Sequence, residues 1–142
     1  MAAVAELQRR QIKIMSLSTL IATDPMGPQN QPKYVNAVAR IATHKTPEAL
    51  LRCLHQIENR AGRKRLRRWG ARCLDLDLLD YHGLQRKPAH TSIKPLALPH
   101  PGIAARSFVL EPLVEIVPAW KHPISHQTPA LMLRKLYGLN ST

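Results

Sequence analysis

Residues 60–77, RAGRKRLRRWGARCLDLD, hold two kinds of chemistry-bearing side chain close together. Seven basic residues (Arg60, Arg63, Lys64, Arg65, Arg67, Arg68 and Arg72) lead into Asp75 and Asp77. In an extended strand the i, i+2 spacing puts both carboxylates on one face, with Leu74, Leu76 and Leu78 on the other. Two carboxylates side by side repel each other unless a cation sits between them. Arginines nearby suit a polyanion, because the planar guanidinium grips phosphate bidentately. Carboxylates for Mg²⁺ together with arginines for phosphates are the chemistry of phosphoryl transfer. Taken alone, the pair is equally an edge-strand acid pair that holds no metal.

The elements that must position these residues are legible around them. Residues 12–22, IKIMSLSTLIA, alternate in part and are rich in β-compatible types, so they are expected to form a strand. DPMGPQNQP (24–32) has three prolines and a glycine and reads as a loop. YVNAVARIAT (34–43) reads as a second strand, antiparallel to the first. Thr46 fits an N-cap and Pro47 the first helical position. Leu50, Leu51, Leu54 and Ile57 then recur at helical spacing, and Gly62 fits just past the end, which predicts a helix over 47–61. Glu58 lies close to its apolar stripe and is expected to partner an arginine or a ligand. Residues 63–71 read as a loop and 72–80 as a strand, with Asp80 at the strand end because its parity differs from that of the pair. Residues 82–127 carry seven prolines and short apolar pieces, which predicts irregular structure with a short helix near 110–116. Thr128 and Pro129 open a last helix that Gly138 closes.

The composition narrows the classes. The chain has 142 residues, enough for one domain with a core, and no repeat or linker divides it. The net charge is +12, and residues 58–72 contribute seven of the 21 basic residues and one of the nine acidic ones. Such a balance implies an anionic partner, or a solvated face. No apolar run approaches a membrane span, and MAAVAELQRR does not read as a signal peptide. Cys53 and Cys73 form neither a metal-ligand spacing nor a disulfide framework, which fits a reduced, cytoplasmic protein.

Three blocks carry a family resemblance. GPQNQPKYVNAV (27–38), ENRAGRKRLRRWGARCLDLDLLDY (58–81) and LPHPGIAARSFVLEPLVEI (98–116) resemble 6-hydroxymethyl-7,8-dihydropterin pyrophosphokinase in order and spacing. The resemblance runs from about residue 12 to the C-terminus. It implies transfer of pyrophosphate from ATP to a pterin alcohol in folate synthesis, with release of AMP. It also implies an α+β, ferredoxin-like sandwich, an antiparallel sheet with helices packed on it, as a single domain over 1–142. Its partners are then the small molecules ATP and pterin, without nucleic acid or membrane, and a monomer is expected.

The resemblance also implies roles by residue. Asp75 and Asp77 match the aspartate pair that holds two Mg²⁺ against ATP. Arg63, Arg65, Arg68, Trp69 and Arg72 match a catalytic loop whose arginines close over the triphosphate while the tryptophan seals the site. Closure excludes water, which matters because hydrolysis competes with transfer. Lys64 and Arg67 match no required position. Thr23, Met26, Tyr34, Asn36 and Phe108 match the pterin pocket, where Asn36 would pair with the ring edge and Tyr34 and Phe108 would flank the flat ring. Without the family, Tyr34 and Phe108 read as ordinary core. His100 and Arg106 match nucleotide-phosphate positions, and Glu58 a position near the nucleotide.

Departures are also visible. The family's opening strand, its glycine-serine-asparagine turn and most of the following helix have no counterpart here. MAAVAELQRR resembles the tail of that helix, so Met1 reads as an internal methionine or a late start. Pro95 and Ala97 stand where many members have an arginine and a hydroxyl residue near ATP, His55 replaces a common amide, and Asp24 replaces an apolar residue or proline. Two other readings compete with the enzyme: a truncated, inactive relative, and a basic nucleic-acid-binding protein using residues 60–72. The second leaves Asp75 and Asp77 unexplained, and of six aromatic residues only Trp69 lies among the basic ones.

Overall fold

The computed structural model describes residues 2–23, 34–63, 74–88 and 95–138. In chain order the elements are α1 (Ala2–Arg9), β1 (Lys13–Leu17), β2 (Ile21–Thr23), β3 (Tyr34–Asn36), β4 (Ala39–Ala42), α2 (Pro47–Arg63), a 3₁₀ turn (Ile103–Ala105), α3 (Ser107–Ile116) and α4 (Pro129–Leu136). Among the described residues the architecture is therefore α+β. No helix among them is long and apolar enough to cross a membrane. The chain divides into two compact units, each built from two stretches of sequence.

The first unit joins Met1–Lys13 to Ala42–His100. Its core is Leu7, Ile12, Leu50, Cys53, Leu54, Ile57 and Leu98. The α2 N-terminus forms as its sequence dictates: the Thr46 Oγ1 accepts from the Ala49 N–H at 3.2 Å, and Pro47 opens the first turn. The helix then runs past Gly62, which was expected just outside it, to Arg63. At the other end of the unit α1 closes with Gln11 at φ +64, a left-handed position usually given to glycine. Two hydrogen bonds complete this cap, Ile12 N–H to Leu7 O at 3.0 Å and Gln11 N–H to Gln8 O at 3.1 Å. Leu7 and Ile12, the residues joined by the first bond, are both buried.

No strand forms over residues 74–80, where one was expected. The Leu76 N–H donates to a Glu58 carboxylate oxygen, and the Leu79 carbonyl accepts from the His100 N–H at 2.8 Å. These groups are thus satisfied outside a regular ladder. The alternation itself persists, with Asp75 and Asp77 exposed and Leu74, Leu76 and Leu78 partly buried.

The second unit joins Ile14–Ile41 to Pro101–Thr142. The single strand expected over 12–22 is broken into β1 and β2, and that over 34–43 into β3 and β4. β1 pairs with β4, and β2 pairs antiparallel with β3 in the register Ile21↔Asn36, Ala22↔Val35, Thr23↔Tyr34. The break at 18–20 has a local cause. Ser18 N–H donates to Val38 O at 2.9 Å, and the Ser18 hydroxyl oxygen accepts from Val38 N–H at 2.9 Å. Thr19 then gives its N–H and its hydroxyl to the Glu115 carboxylate, at 3.0 and 2.7 Å. Side chains therefore take donors that a continuous ladder needs. Those two hydrogen bonds, the hydroxyl's first, hold the Glu115 carboxyl below its ordinary value.

α3 starts earlier than the expected helix near 110–116 and takes Pro112 into its middle. Proline has no N–H, so the Phe108 carbonyl has no i+4 donor. α4 matches its sequence signals: Thr128 Oγ1 accepts from Leu131 N–H at 3.3 Å, and Gly138 at φ +74 follows the C-cap. α3 packs on α4, burying Val109, Leu110, Leu113 and Met132, with Ile103 from the 3₁₀ turn.

Candidate functional site

The candidate residues divide between the units. Glu58, Asp75, Asp77 and His100 belong to the first, and Thr23, Tyr34, Asn36, Arg106 and Phe108 to the second. Met26, Arg65, Arg68, Trp69 and Arg72, with most of the basic run and the proline-rich loop, lie outside the described residues. Arg63 is the last residue of α2.

In the first unit, one side chain on α2 fixes the backbone that carries the acid pair. Glu58 is half-buried on the helix, and its carboxylate accepts from the N–H of Leu76, the residue between Asp75 and Asp77. Further along, the His100 N–H bond to Leu79 O sets residues 77–79 beside His100. A bridge between Arg86 and Leu98, with N–H to O bonds of 2.8 and 3.0 Å, supports the approach to His100. The Tyr81 hydroxyl donates to Lys45 O and ties the following turn to the start of α2. Asp80 belongs to that turn, accepting from Gly83 N–H at 3.3 Å.

The result brings two sequence candidates together: His100 Nε2 lies 4.0 Å from Asp77 Oδ2. Asp75 and Asp77 both present to solvent, two residues apart and of the same parity, on a backbone held from α2. Hard carboxylate oxygens with open access fit Mg²⁺, which takes one or two carboxylates and completes its octahedron with phosphate oxygens and water. No cluster of three or more His, Cys, Asp or Glu residues able to hold a metal occurs among the described residues.

In the second unit, the β2–β3 register places Thr23 opposite Tyr34, with Asn36 two positions along. Asn36 is half-buried. Arg106 and Phe108 flank the start of α3, and the Arg106 guanidinium carbon stands 5.9 Å from the Phe108 ring centroid. A cation over a ring face is held electrostatically by the ring quadrupole. Gly102 completes this arrangement. A Cβ there would lie 2.9 Å from Arg106 Nε and 3.0 Å from Cζ. Gly102 is the residue that sequence reasoning missed. Its signal was the Pro101-Gly102 pair five and four residues before Arg106, which reads first as a turn.

Residues 1–118 match the family described as 7,8-dihydro-6-hydroxymethylpterin-pyrophosphokinase (HPPK). The chain belongs to this family. It is 46% identical over 105 residues to the 2-amino-4-hydroxy-6-hydroxymethyldihydropteridine pyrophosphokinase of Haemophilus influenzae, covering 72% of this chain and 61% of that protein. It is 39% identical over 120 residues to the enzyme of the same name from Pseudomonas aeruginosa, covering 84% and 71%. With the same-named protein of Bacillus subtilis it shares 40% identity over 109 residues, covering 77% and 62%. The chain thus spans about three fifths of the length of the Haemophilus and Bacillus relatives. Asp75, Asp77, His100, Arg106 and Phe108 all fall inside the stretch that matches the family.

Proposed function

We propose that this chain transfers pyrophosphate from ATP to 6-hydroxymethyl-7,8-dihydropterin, releasing AMP, as a step of folate synthesis. Membership of the pyrophosphokinase family supports the reaction class. The observation that carries the reading to particular residues is the exposed Asp75/Asp77 pair, held from α2 through Glu58 and flanked by His100.

In this reaction the pterin hydroxymethyl oxygen bonds to the β-phosphorus of ATP. The bond from that phosphorus to the α,β-bridging oxygen breaks, AMP leaves, and the hydroxyl proton passes to solvent. Asp75 and Asp77 would hold Mg²⁺, two ions on the family resemblance. The metal would offset phosphate charge and orient the triphosphate. His100 stands beside Asp77 and supplies a ring N–H for a phosphate oxygen or the carboxylate. Arg106, braced by Phe108 and Gly102, offers a guanidinium for a phosphate. Arg63, Arg65, Arg68, Arg72 and Trp69 are assigned to closure over the nucleotide, and Glu58 to positioning near it. Thr23, Met26, Tyr34, Asn36 and Phe108 are assigned to the pterin. No general base is required if positioning and charge neutralisation carry the step. The fold assigned is the ferredoxin-like sandwich as one catalytic domain, working as a cytoplasmic monomer.

The deciding experiment is AMP release by the purified chain with ATP, Mg²⁺ and 6-hydroxymethyl-7,8-dihydropterin. AMP formed only with the pterin present supports the activity. Its absence from a cooperatively folding chain would overturn the reading in favour of an inactive relative.

A further inference from the structure

The end of α1 and the first turns of α2, both in the first unit, bound a cleft of about 350 Å³. Four of its lining residues are cations: Arg9, Arg10, Lys45 and Arg52. Gln11 and Gln56 add amides, and among the described residues no carboxylate lines it. None of these residues belongs to the sets assigned to metal, nucleotide or pterin.

The convergence follows from helix geometry. Ala49, Arg52, Cys53 and Gln56 are spaced i, i+3, i+4 and i+7, which is one face of α2. Lys45 lies one turn before Ala49 and is fixed through its backbone, its N–H to Thr43 Oγ1 at 3.1 Å and its carbonyl to the Tyr81 hydroxyl. Arg10 is already set in place: its Nη1 donates to Gln56 Oε1 at 2.8 Å and its Nε to Glu6 Oε1 at 3.2 Å. Ala49 is small, and Cys53 is buried, so neither fills the space.

The local charge is not balanced. Glu6 is shared by Arg9 at 3.5 Å, Arg10 at 3.2 Å and Arg60 at 3.6 Å, and Glu48, next to Ala49 in sequence, pairs with Arg86 at 3.8 Å. Among the described residues, the side chains of Lys45 and Arg52 have no ion pair or hydrogen bond. Converging like charges repel, and an oxygen-rich anion between them removes that cost. Arginine forks suit phosphate oxygens bidentately, while lysine adds a point charge. The volume is near the small end for ligand pockets, which run from about 300 to 1,000 Å³. The cationic lining favours a compact, multiply charged group seated in it.

We propose that this cleft is a second anion site, which binds a condensed phosphate, either free or as the phosphate tail of a nucleotide. The assignment does not rest on the pyrophosphokinase reading.

The test is a titration of the ¹⁵N-labelled full chain with inorganic tripolyphosphate in Mg²⁺-free buffer, followed by amide shifts. Saturable shifts at Gln11, Ala49 and Gln56 are expected. The Lys45→Ala/Arg52→Ala double variant should weaken them at least tenfold. Arg134→Ala/Lys135→Ala removes the same charge from exposed positions on α4 and should leave them unchanged. A parallel titration with ATP separates the sources. The same cleft shifts assign the site to nucleotide tails as well, and their absence assigns it to free condensed phosphate. No cleft shifts in the wild-type chain would overturn the proposal, whatever the variants do. Equal weakening by both double variants would also overturn it, because the effect would then be bulk electrostatics.

Discussion

His100 Nε2 stands 4.0 Å from Asp77 Oδ2, at the outer limit of an ion pair. The Asp77 side chain is 51% exposed, so water screens the contact and it adds little to stability. Its value is positional. The carboxylate keeps lone pairs open to solvent, while the ring is anchored by the His100 N–H bond to Leu79 O.

Asp75→Asn and Asp77→Asn should each cut turnover on the order of 10²–10³-fold, the scale of losing a metal-held phosphate. Both side chains are exposed, so melting temperature should move by no more than about 2 °C. Pterin-dependent AMP release and a thermal scan on the same preparations check this. Near-wild-type activity in both variants would remove the metal assignment.

Gly102→Ala should act on Arg106. The new methyl would meet the guanidinium at 2.9–3.0 Å, and a flexible side chain yields by changing rotamer. The ATP KM should rise severalfold, with kcat and melting temperature little changed. Arg106→Lys should show a similar KM effect, since lysine cannot reproduce the planar fork. A drop in melting temperature with unchanged KM would mean that Gly102 serves packing alone.

How much of this was written in the sequence depends on the residue. The α2 cap, the α4 cap and the in/out parity of Asp75 and Asp77 follow from local rules, and the structure shows them. The strand break at 18–20 was hidden because it depends on Glu115, which is 96 residues from Thr19 in sequence. Segment 74–80 kept its alternation but not its ladder, because the Leu76 N–H goes to a side chain on α2. Gly62 looked like a helix stop, yet a glycine inside the last turn is only a propensity cost that packing overrides. The joining of Asp77 to His100 and of Arg106 to Phe108 and Gly102 is set by folding that no local rule gives. The family resemblance names four of these five residues, but not which of them touch.

The Thr19–Glu115 contact gives a pH dependence. The folded carboxyl is held below its ordinary value of 4.5 by the Thr19 hydroxyl and N–H. Stability from this contact is therefore fully present above the unfolded value and lost as pH falls through the folded one. Glu115→Gln should lower the urea midpoint at pH 7, and the gap from wild type should narrow below about pH 4.5. A gap that stays constant to pH 3 would mean that the carboxylate charge is not what the contact uses.

Gln11 makes the opposite error to Gly62. It holds a left-handed conformation, at φ +64, at the position of the α1 cap where glycine carries no Cβ penalty. Gln11→Gly should stabilise the chain by about 1 kcal/mol, the cost of a side chain in that conformation. Gly62→Ala should also stabilise, by up to about 1 kcal/mol, since its Cβ would meet nothing within 4 Å. Urea midpoints should rise in both with unchanged m-values. The two variants differ in what else they alter. Gln11 lines the basic cleft, so the glycine variant should bind tripolyphosphate less well while it folds better. Gly62→Ala should leave that affinity untouched. Stability and anion affinity moving in opposite directions at Gln11 alone would tie the glutamine to the cleft rather than to the fold.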